Sequence, residues 1–248
     1  MNKDLKKKNV FITGSSSGIG FGLAKKYLDQ GCEVIICSKN LKKLKLASTL
    51  LDNCFYIQVD LSKEKEIKKA MNKLRRKFKK IDILICNYGN SNYIKNNLDF
   101  EHAFNNNFFS TVNTVKHVVP FMKKKTGKIV CISSICGLEA IKGAPIAYSV
   151  AKSALNNYVK SMSFVLAQRQ ININSIAPGN IFFKGSIWEK KLKKSKPRIK
   201  KYIYDNVPMN KFGNIKEIFE LCSYLCSDNC FSTGATYVLD GGQTRAYK

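Results

Sequence analysis

Short runs of consecutive apolar residues alternate along this chain with longer runs of helical period. The short runs fall at residues 10–13, 34–37, 55–59, 83–86, 128–132, 171–176 and 236–239. They are rich in Ile and Val, as in Val34-Ile35-Ile36-Cys37 and Ile83-Leu84-Ile85-Cys86. Apolar side chains on successive positions mark strands buried on both faces, as in a parallel sheet covered by helices. Between them, residues 18–30, 41–51, 63–79, 99–123, 147–168 and 214–227 predict helices. Strand–helix alternation of this kind predicts an α/β, doubly wound sheet. No repeat or linker divides the chain, so residues 1–248 are expected to form a single domain. The stretch 182–204 breaks the rhythm. It is Lys-rich, holds the lone tryptophan, Trp188, and reads as an inserted lid or substrate loop.

Composition narrows the class. A hydrophobic share of 44% supplies a core and argues against disorder, and 15 Gly with 5 Pro exclude a collagenous or low-complexity chain. No apolar run approaches the ~18–20 residues of a membrane-spanning helix. The formal net charge is +26. It has two readings, an anionic partner such as nucleic acid or compositional drift. The 38 Lys against 5 Arg, beside abundant Asn and Ile, fit AT-rich codons, whereas nucleic-acid readers lean on Arg. Nine cysteines include no Cys-x-x-Cys pair. Cys222, Cys226 and Cys230 stack on one face only if their helix extends that far, and His102 and His117 lack zinc-ligand spacing. Buried free thiols in a reducing compartment, no metal and a cytoplasmic location are therefore expected. The basic N-terminus lacks a signal-peptide apolar region.

The first strand runs into Thr13-Gly14-Ser15-Ser16-Ser17-Gly18-Ile19-Gly20. Glycine there permits a tight turn and close backbone approach, and a helix N-terminus attracts a pyrophosphate through its free N–H groups. This Thr-Gly-x-x-x-Gly-x-Gly pattern resembles the cofactor fingerprint of the short-chain dehydrogenase/reductase family. The likeness runs to Asp240-Gly241-Gly242 near the C-terminus, and within the family the pattern is closest to the 3-oxoacyl-(acyl-carrier-protein) reductase-like branch. It implies a Rossmann-type, seven-stranded parallel sheet, usually in a homotetramer or dimer. It also implies dinucleotide contacts at Gly14, Ser15, Ser17, Gly18, Ile19 and Gly20, at Asp60 and Leu61 after the third strand, and at Asn87 and Gly89 after the fourth. After the second strand, Cys37-Ser38-Lys39-Asn40 stands where a carboxylate would favour NAD. Ser38 and Lys39 can bond and neutralise a 2′-phosphate, so NADP(H) is expected over NAD(H).

Tyr148 and Lys152 lie at i, i+4 and share a helix face. A free Tyr, with a pKa of ~10, is a weak acid–base group at neutral pH, and a nearby ammonium is expected to lower it. By resemblance Ser134, Tyr148, Lys152 and Asn107 form the catalytic set, with Asn106 the alternative register for the asparagine. Tyr148 and Lys152 would also touch the cofactor, as would Pro178, Gly179 and Ile181. Tyr148 would give the proton to a carbonyl oxygen, Ser134 would orient that carbonyl, Lys152 would hold the nicotinamide ribose, and Asn107 would anchor a relay water.

Two positions depart from the family pattern. Tyr88 stands where a small residue is usual, and Phe183 replaces a Thr whose hydroxyl would bond the nicotinamide carboxamide. The segment from Lys184 to Lys201 has nine basic residues against Glu189, which suits an anionic substrate, and Trp188 offers an apolar wall. Lys125 and Arg169 match the family's carrier-docking positions. The expected substrate is a small-molecule or carrier-bound carbonyl, first a 3-oxoacyl thioester. A sugar derivative, small alcohol or secondary-metabolite ketone is the alternative. A non-catalytic anion- or nucleic-acid-binding protein on the same fold is a third reading, disfavoured by the intact catalytic set.

Overall fold

The computed structural model describes residues 5–52, 54–89 and 98–244. Seven strands form one sheet: β1 (Asn9–Ile12), β2 (Glu33–Ser38), β3 (Phe55–Gln58), β4 (Ile83–Cys86), β5 (Lys128–Ile132), β6 (Asn172–Pro178) and β7 (Thr236–Leu239). All pairings are parallel, in the order β3-β2-β1-β4-β5-β6-β7. The order reverses between β1 and β4, so a crevice opens there at the strands' carboxyl ends.

Helices cover both faces. On one side α1 (Gly18–Asp29), α2 (Leu41–Thr49) and α9 (Ile215–Leu225) bury Leu23, Tyr27, Leu44, Ile218 and Cys222 against Ile12, Ile36 and Ile85. On the other, α3 (Glu64–Lys77), α5 (Ser110–Val118) and α6 (Ile146–Ala167) bury Met71, Leu74, Val115, Leu155 and Val159 against Phe11, Ile35 and Ile129. Strand residues alternate between these two cores, which is why β1, β4 and β5 are apolar at successive positions.

The predicted helix at 99–123 is divided. It comprises α4 (Phe100–Phe104), a π turn (Asn105–Phe109), α5 and a 3-10 turn (Val119–Phe121). The segment at 182–204 is helical where a loop was expected, forming α7 (Ile187–Lys194) and α8 (Lys196–Asn206). Helix α9 stops at Leu225, so Cys230 lies in the turn beyond it. All nine cysteines are free thiols, eight buried and Cys136 half-buried. No helix among the described residues is long and apolar enough to cross a membrane.

Candidate active site

The expected site residues lie at or just beyond the carboxyl ends of strands, on α6, or, for Asn107, in the π turn between α4 and α5. The Gly-rich loop joins β1 to α1. Gly14 and Gly18 take φ of 62° and 65°, in the left-handed region. A Cβ on Gly20 would fall 2.7 Å from the Gly14 carbonyl oxygen, so only glycine lets the loop close on the helix. Ser17 caps α1 without a side-chain hydrogen bond, leaving the helix's first N–H groups for an anion. Ser15 has another role. It is fully buried, its hydroxyl donates to Ile12 O at 2.7 Å and accepts from Cys37 N at 2.9 Å, and its own N–H goes to Cys37 O. Ser15 therefore shapes the loop and ties it to β2.

At the end of β2, Ser38 is half-buried and Lys39 exposed. Partial burial pushes the Asp60 carboxyl up, but hydrogen bonds from Ser62 and the charges of Lys39 and Lys63 outweigh it and leave the group below its ordinary range. Lys39 and Asp60 thus share one rim of the crevice. Leu61 is buried in the core beneath it. Asn87 holds the loop from the β4 side, its Nδ2 donating to Thr13 O and Gly14 O at 3.0 and 3.1 Å. Thr13 Oγ1 accepts from the N–H groups of both Asn87 and Tyr88.

Ser134 follows β5 and opens a 3-10 turn (Ile135–Gly137), its hydroxyl accepting from Cys136 N at 3.2 Å. Gly137 rests directly on α6: a Cβ there would lie 2.6 Å from the Lys152 carbonyl carbon and 2.8 Å from Ser153 N. Ser153 Oγ donates to Gly137 O at 2.6 Å and Asn156 Nδ2 to the same oxygen at 3.3 Å. These contacts fix the Ser134 turn to the helix that carries Tyr148 and Lys152.

Ser134, Tyr148, Lys152 and Cys136 come together as one cluster. Burial pushes the Tyr148 phenol up, the Cys136 thiol adds to this, and a hydrogen bond with Ser134 partly offsets both. The expected lowering by Lys152 is therefore not what this geometry produces. Lys152 Nζ sits 5.8 Å from the Tyr148 ring centre and donates to Ile132 O at 2.9 Å. Burial pushes Lys152 down to about 8, against the opposing influence of Cys131, Cys136 and Cys86.

Asn107 is fully buried in the π turn, donating from Nδ2 to Ala103 O at 3.0 Å. Its Oδ1 lies against Gly89, where a Cβ would come within 2.6 Å. Asn106, the alternative register, instead accepts a 2.6 Å hydrogen bond from the Tyr88 hydroxyl. Pro178, Gly179 and Ile181 follow β6. Gly179 N donates to Leu239 O, and Asn180 Nδ2 to Gln243 Oε1 at 2.7 Å, so the Asp240-Gly241-Gly242 turn braces this stretch. Phe183 lies half-buried with its ring over Gly18, 3.4 Å from where a Cβ would stand. Among the described residues no group of three or more His, Cys, Asp or Glu is placed to hold a metal ion.

A family model described as enoyl-(acyl carrier protein) reductase matches residues 14–244. The chain belongs to the short-chain dehydrogenase/reductase family. It is 30% identical over 246 residues to 3-oxoacyl-(acyl-carrier-protein) reductase FabG of Buchnera aphidicola, covering 96% of this chain and 98% of the relative. It is 25% identical to L-fucose dehydrogenase of Bos taurus, covering 97% of this chain and 90% of the relative. L-sorbose reductase from Gluconobacter frateurii, solved with NADPH and L-sorbose, superposes with a TM-score of 0.88 at 25% identity over all of both chains. As a member of the short-chain dehydrogenase/reductase family, the protein is an oxidoreductase acting on CH–OH groups.

In this short-chain dehydrogenase/reductase the sequence raised no expectation for Ser153, Cys136 and Gly137. The run Ser134-Ile135-Cys136-Gly137 carried a signal for the last two. A glycine three residues after a strand-end serine marks a backbone pressed against something, here α6.

Proposed function

We propose that the protein is an NADP(H)-dependent carbonyl reductase, with Ser134, Tyr148, Lys152 and Asn107 as its working residues. The observation that carries this is the clustering of buried Ser134 and Lys152 with half-buried Tyr148, beside a loop with the glycines and free helix N–H groups a dinucleotide needs. A bound nicotinamide dinucleotide supplies the hydride. The chain supplies the rest. Tyr148, whose phenol burial pushes up, carries the proton that its hydroxyl would give to a carbonyl oxygen. Ser134 Oγ orients that oxygen by a hydrogen bond. Lys152 Nζ, held at Ile132 O, is positioned to take a ribose hydroxyl and return a proton towards Tyr148. Asn107, buried beside Gly89, anchors the water that feeds that proton.

Gly14, Ser17, Gly18, Ile19 and Gly20 would receive the pyrophosphate, with Asn87 and Gly89 behind them. Asp60 would face the adenine, and Lys39 with Ser38 the 2′-phosphate. Pro178, Gly179 and Ile181 would border the nicotinamide. Phe183 offers no hydroxyl there, and its ring covers Gly18 instead.

The first substrate to test is a 3-oxoacyl thioester, supported by the 30% identity to a reductase of that class. Lys125 and Arg169 are adjacent, joined by Lys125 N to Arg169 O at 3.0 Å. They precede β5 and β6, on the sheet edge opposite Ser134 and Tyr148, so the site's own geometry lends carrier docking there no support. A sugar-like ketone is the second reading, supported by the full-length match to L-sorbose reductase.

The test is NADPH and NADH oxidation with acetoacetyl thioesters and a panel of keto-sugars. Turnover with NADPH is expected, and a preference for NADH would refute the role given to Lys39. Tyr148→Phe should abolish turnover while NADPH binding, followed by fluorescence titration, persists. Turnover retained by that variant would sink the catalytic assignment.

A further inference from the structure

Tyr88 is anchored at both ends. Its backbone N–H donates to Thr13 Oγ1 at 3.0 Å. Its Cα lies 2.9 Å, and its ring Cδ2 3.2 Å, from where a Gly14 Cβ would stand, so the residue is pressed onto the Gly-rich loop. At the far end its hydroxyl donates to Asn106 Oδ1 at 2.6 Å. Asn106 Nδ2 in turn donates to His102 O at 2.8 Å, and the Asn106 carbonyl accepts from Ser110 Oγ at 2.7 Å. One side chain therefore bridges the dinucleotide loop and the π turn that presents Asn107.

The π turn needs such an anchor. A π turn widens the helix by one residue, and such turns are rare, mostly single, and frequent at functional sites. Its sequence, Asn105-Asn106-Asn107-Phe108-Phe109, has weak intrinsic helix preference. Ser110 secures the turn from within the helix, and Tyr88 secures it from outside. The small residue usual at this position could not span the gap. We propose that Tyr88 is a positioning residue: its hydroxyl, through Asn106, holds the π turn so that Asn107 stays set against Gly89. This rests on the reductase reading for Asn107.

Tyr88→Phe keeps the ring on Gly14 and deletes only the hydroxyl. With NADPH and the best carbonyl substrate, kcat should fall about five- to tenfold, the effect of one lost neutral hydrogen bond. The dissociation constant for NADPH should change by less than about twofold, since the ring contact remains. Asn106→Ala should lower kcat similarly, and the double variant should be no worse than the poorer single. Amide hydrogen exchange of the enzyme without substrate or cofactor gives a readout independent of turnover. In Tyr88→Phe, amides 105–109 should exchange faster while those of 13–20 do not. Unchanged kcat and unchanged exchange would overturn the proposal. So would a loss of kcat matched by an equal loss of NADPH affinity, which would make the hydroxyl part of the cofactor site. Additive losses would also overturn it. If the wild-type protein reduces no carbonyl, the reductase reading fails, and the exchange experiment still decides whether Tyr88 holds the turn.

Discussion

Gly137 has no side chain because the backbone of α6 already stands where one would go. The nearest atoms are main-chain atoms of Lys152 and Ser153, which cannot swing aside. Gly137→Ala should therefore destabilise the fold by about 1–3 kcal/mol, the usual cost of overpacking. It should also push Ser134 off its line with Tyr148, and a displacement of ~1 Å is enough to cost about 100-fold in rate. Thermal unfolding and kcat measured together check this: a normal melting curve with normal kcat would show that the turn yields freely. Lys152 makes a second residue-scale prediction. Burial lowers it to about 8 from its ordinary 10.5, so the native state binds this proton more weakly than the unfolded chain. Stability attributable to Lys152 then rises with pH: the cost is fully present below about pH 8 and is lost on passing 10.5. At 3% exposure, solvent screens this little, and the shift corresponds to about 3 kcal/mol. Lys152→Met should gain on wild type by up to about that amount at pH 7 and by far less at pH 10. A difference between the two proteins that does not change with pH would refute a desolvated ammonium. Likeness to the family's motifs singled out Ser134, Tyr148 and Lys152, and the structure brings these three side chains together. The direction of the Tyr148 shift was not legible in the sequence, because it depends on burial and on a Cys136 thiol that no pairwise spacing reveals.

At the scale of elements, the strands and most helices were legible from periodicity, and two segments were not. The run 99–123 reads as one helix, yet a one-residue slip at Asn105–Phe109 leaves the apolar period almost unchanged. What marks the slip is polar. Ser110 and Thr114 hydroxyls donate to Asn106 O and Ser110 O, taking up carbonyls along the altered ladder. The second segment, 182–204, was obscured by its lysines. Helix α7 begins at a Ser186 cap that accepts from Glu189 N at 3.1 Å, and Pro197 sits in the first turn of α8. The two helices are joined by aromatic packing: Trp188 stacks on Tyr202 at 5.3 Å and meets Phe212 at 5.4 Å. Trp188 therefore serves first to join α7 to α8. Trp188→Ala should free α7 from α8 and loosen the backbone of the Lys184–Lys201 stretch, whose lysines are already exposed, with trypsin cutting there on the order of tenfold faster. The KM for the carbonyl substrate should rise several-fold while NADPH affinity holds. Unchanged proteolysis would mean that α7 and α8 are held by other contacts.

Across the whole molecule, the parallel sheet sorts the chain's charge by edge. Its carboxyl edge holds the crevice, with Lys39 and Lys152, while Lys125 and Arg169 lie on its amino edge and many other lysines ride exposed on helices. The net charge of +26 invites a reading in which the overall field gathers anions. Screening argues against it. At physiological salt the Debye length is ~8 Å, so a lysine on the far turns of α3 contributes little at the end of β2. Lys39 differs because it stands on the rim beside Asp60, whose carboxyl already registers its charge. Two variants separate the local from the global account. Lys39→Ala should raise the NADPH dissociation constant on the order of tenfold, as expected for one lost charge-assisted contact, and leave that for NADH within about twofold. Changing the exposed Lys69, Lys73 and Lys160 to Glu together alters the net charge by six units, yet should move NADPH affinity by less than about twofold at 0.15 M salt. If the triple variant loses as much affinity as Lys39→Ala, the field of the whole surface recruits the cofactor, and the position of Lys39 is incidental.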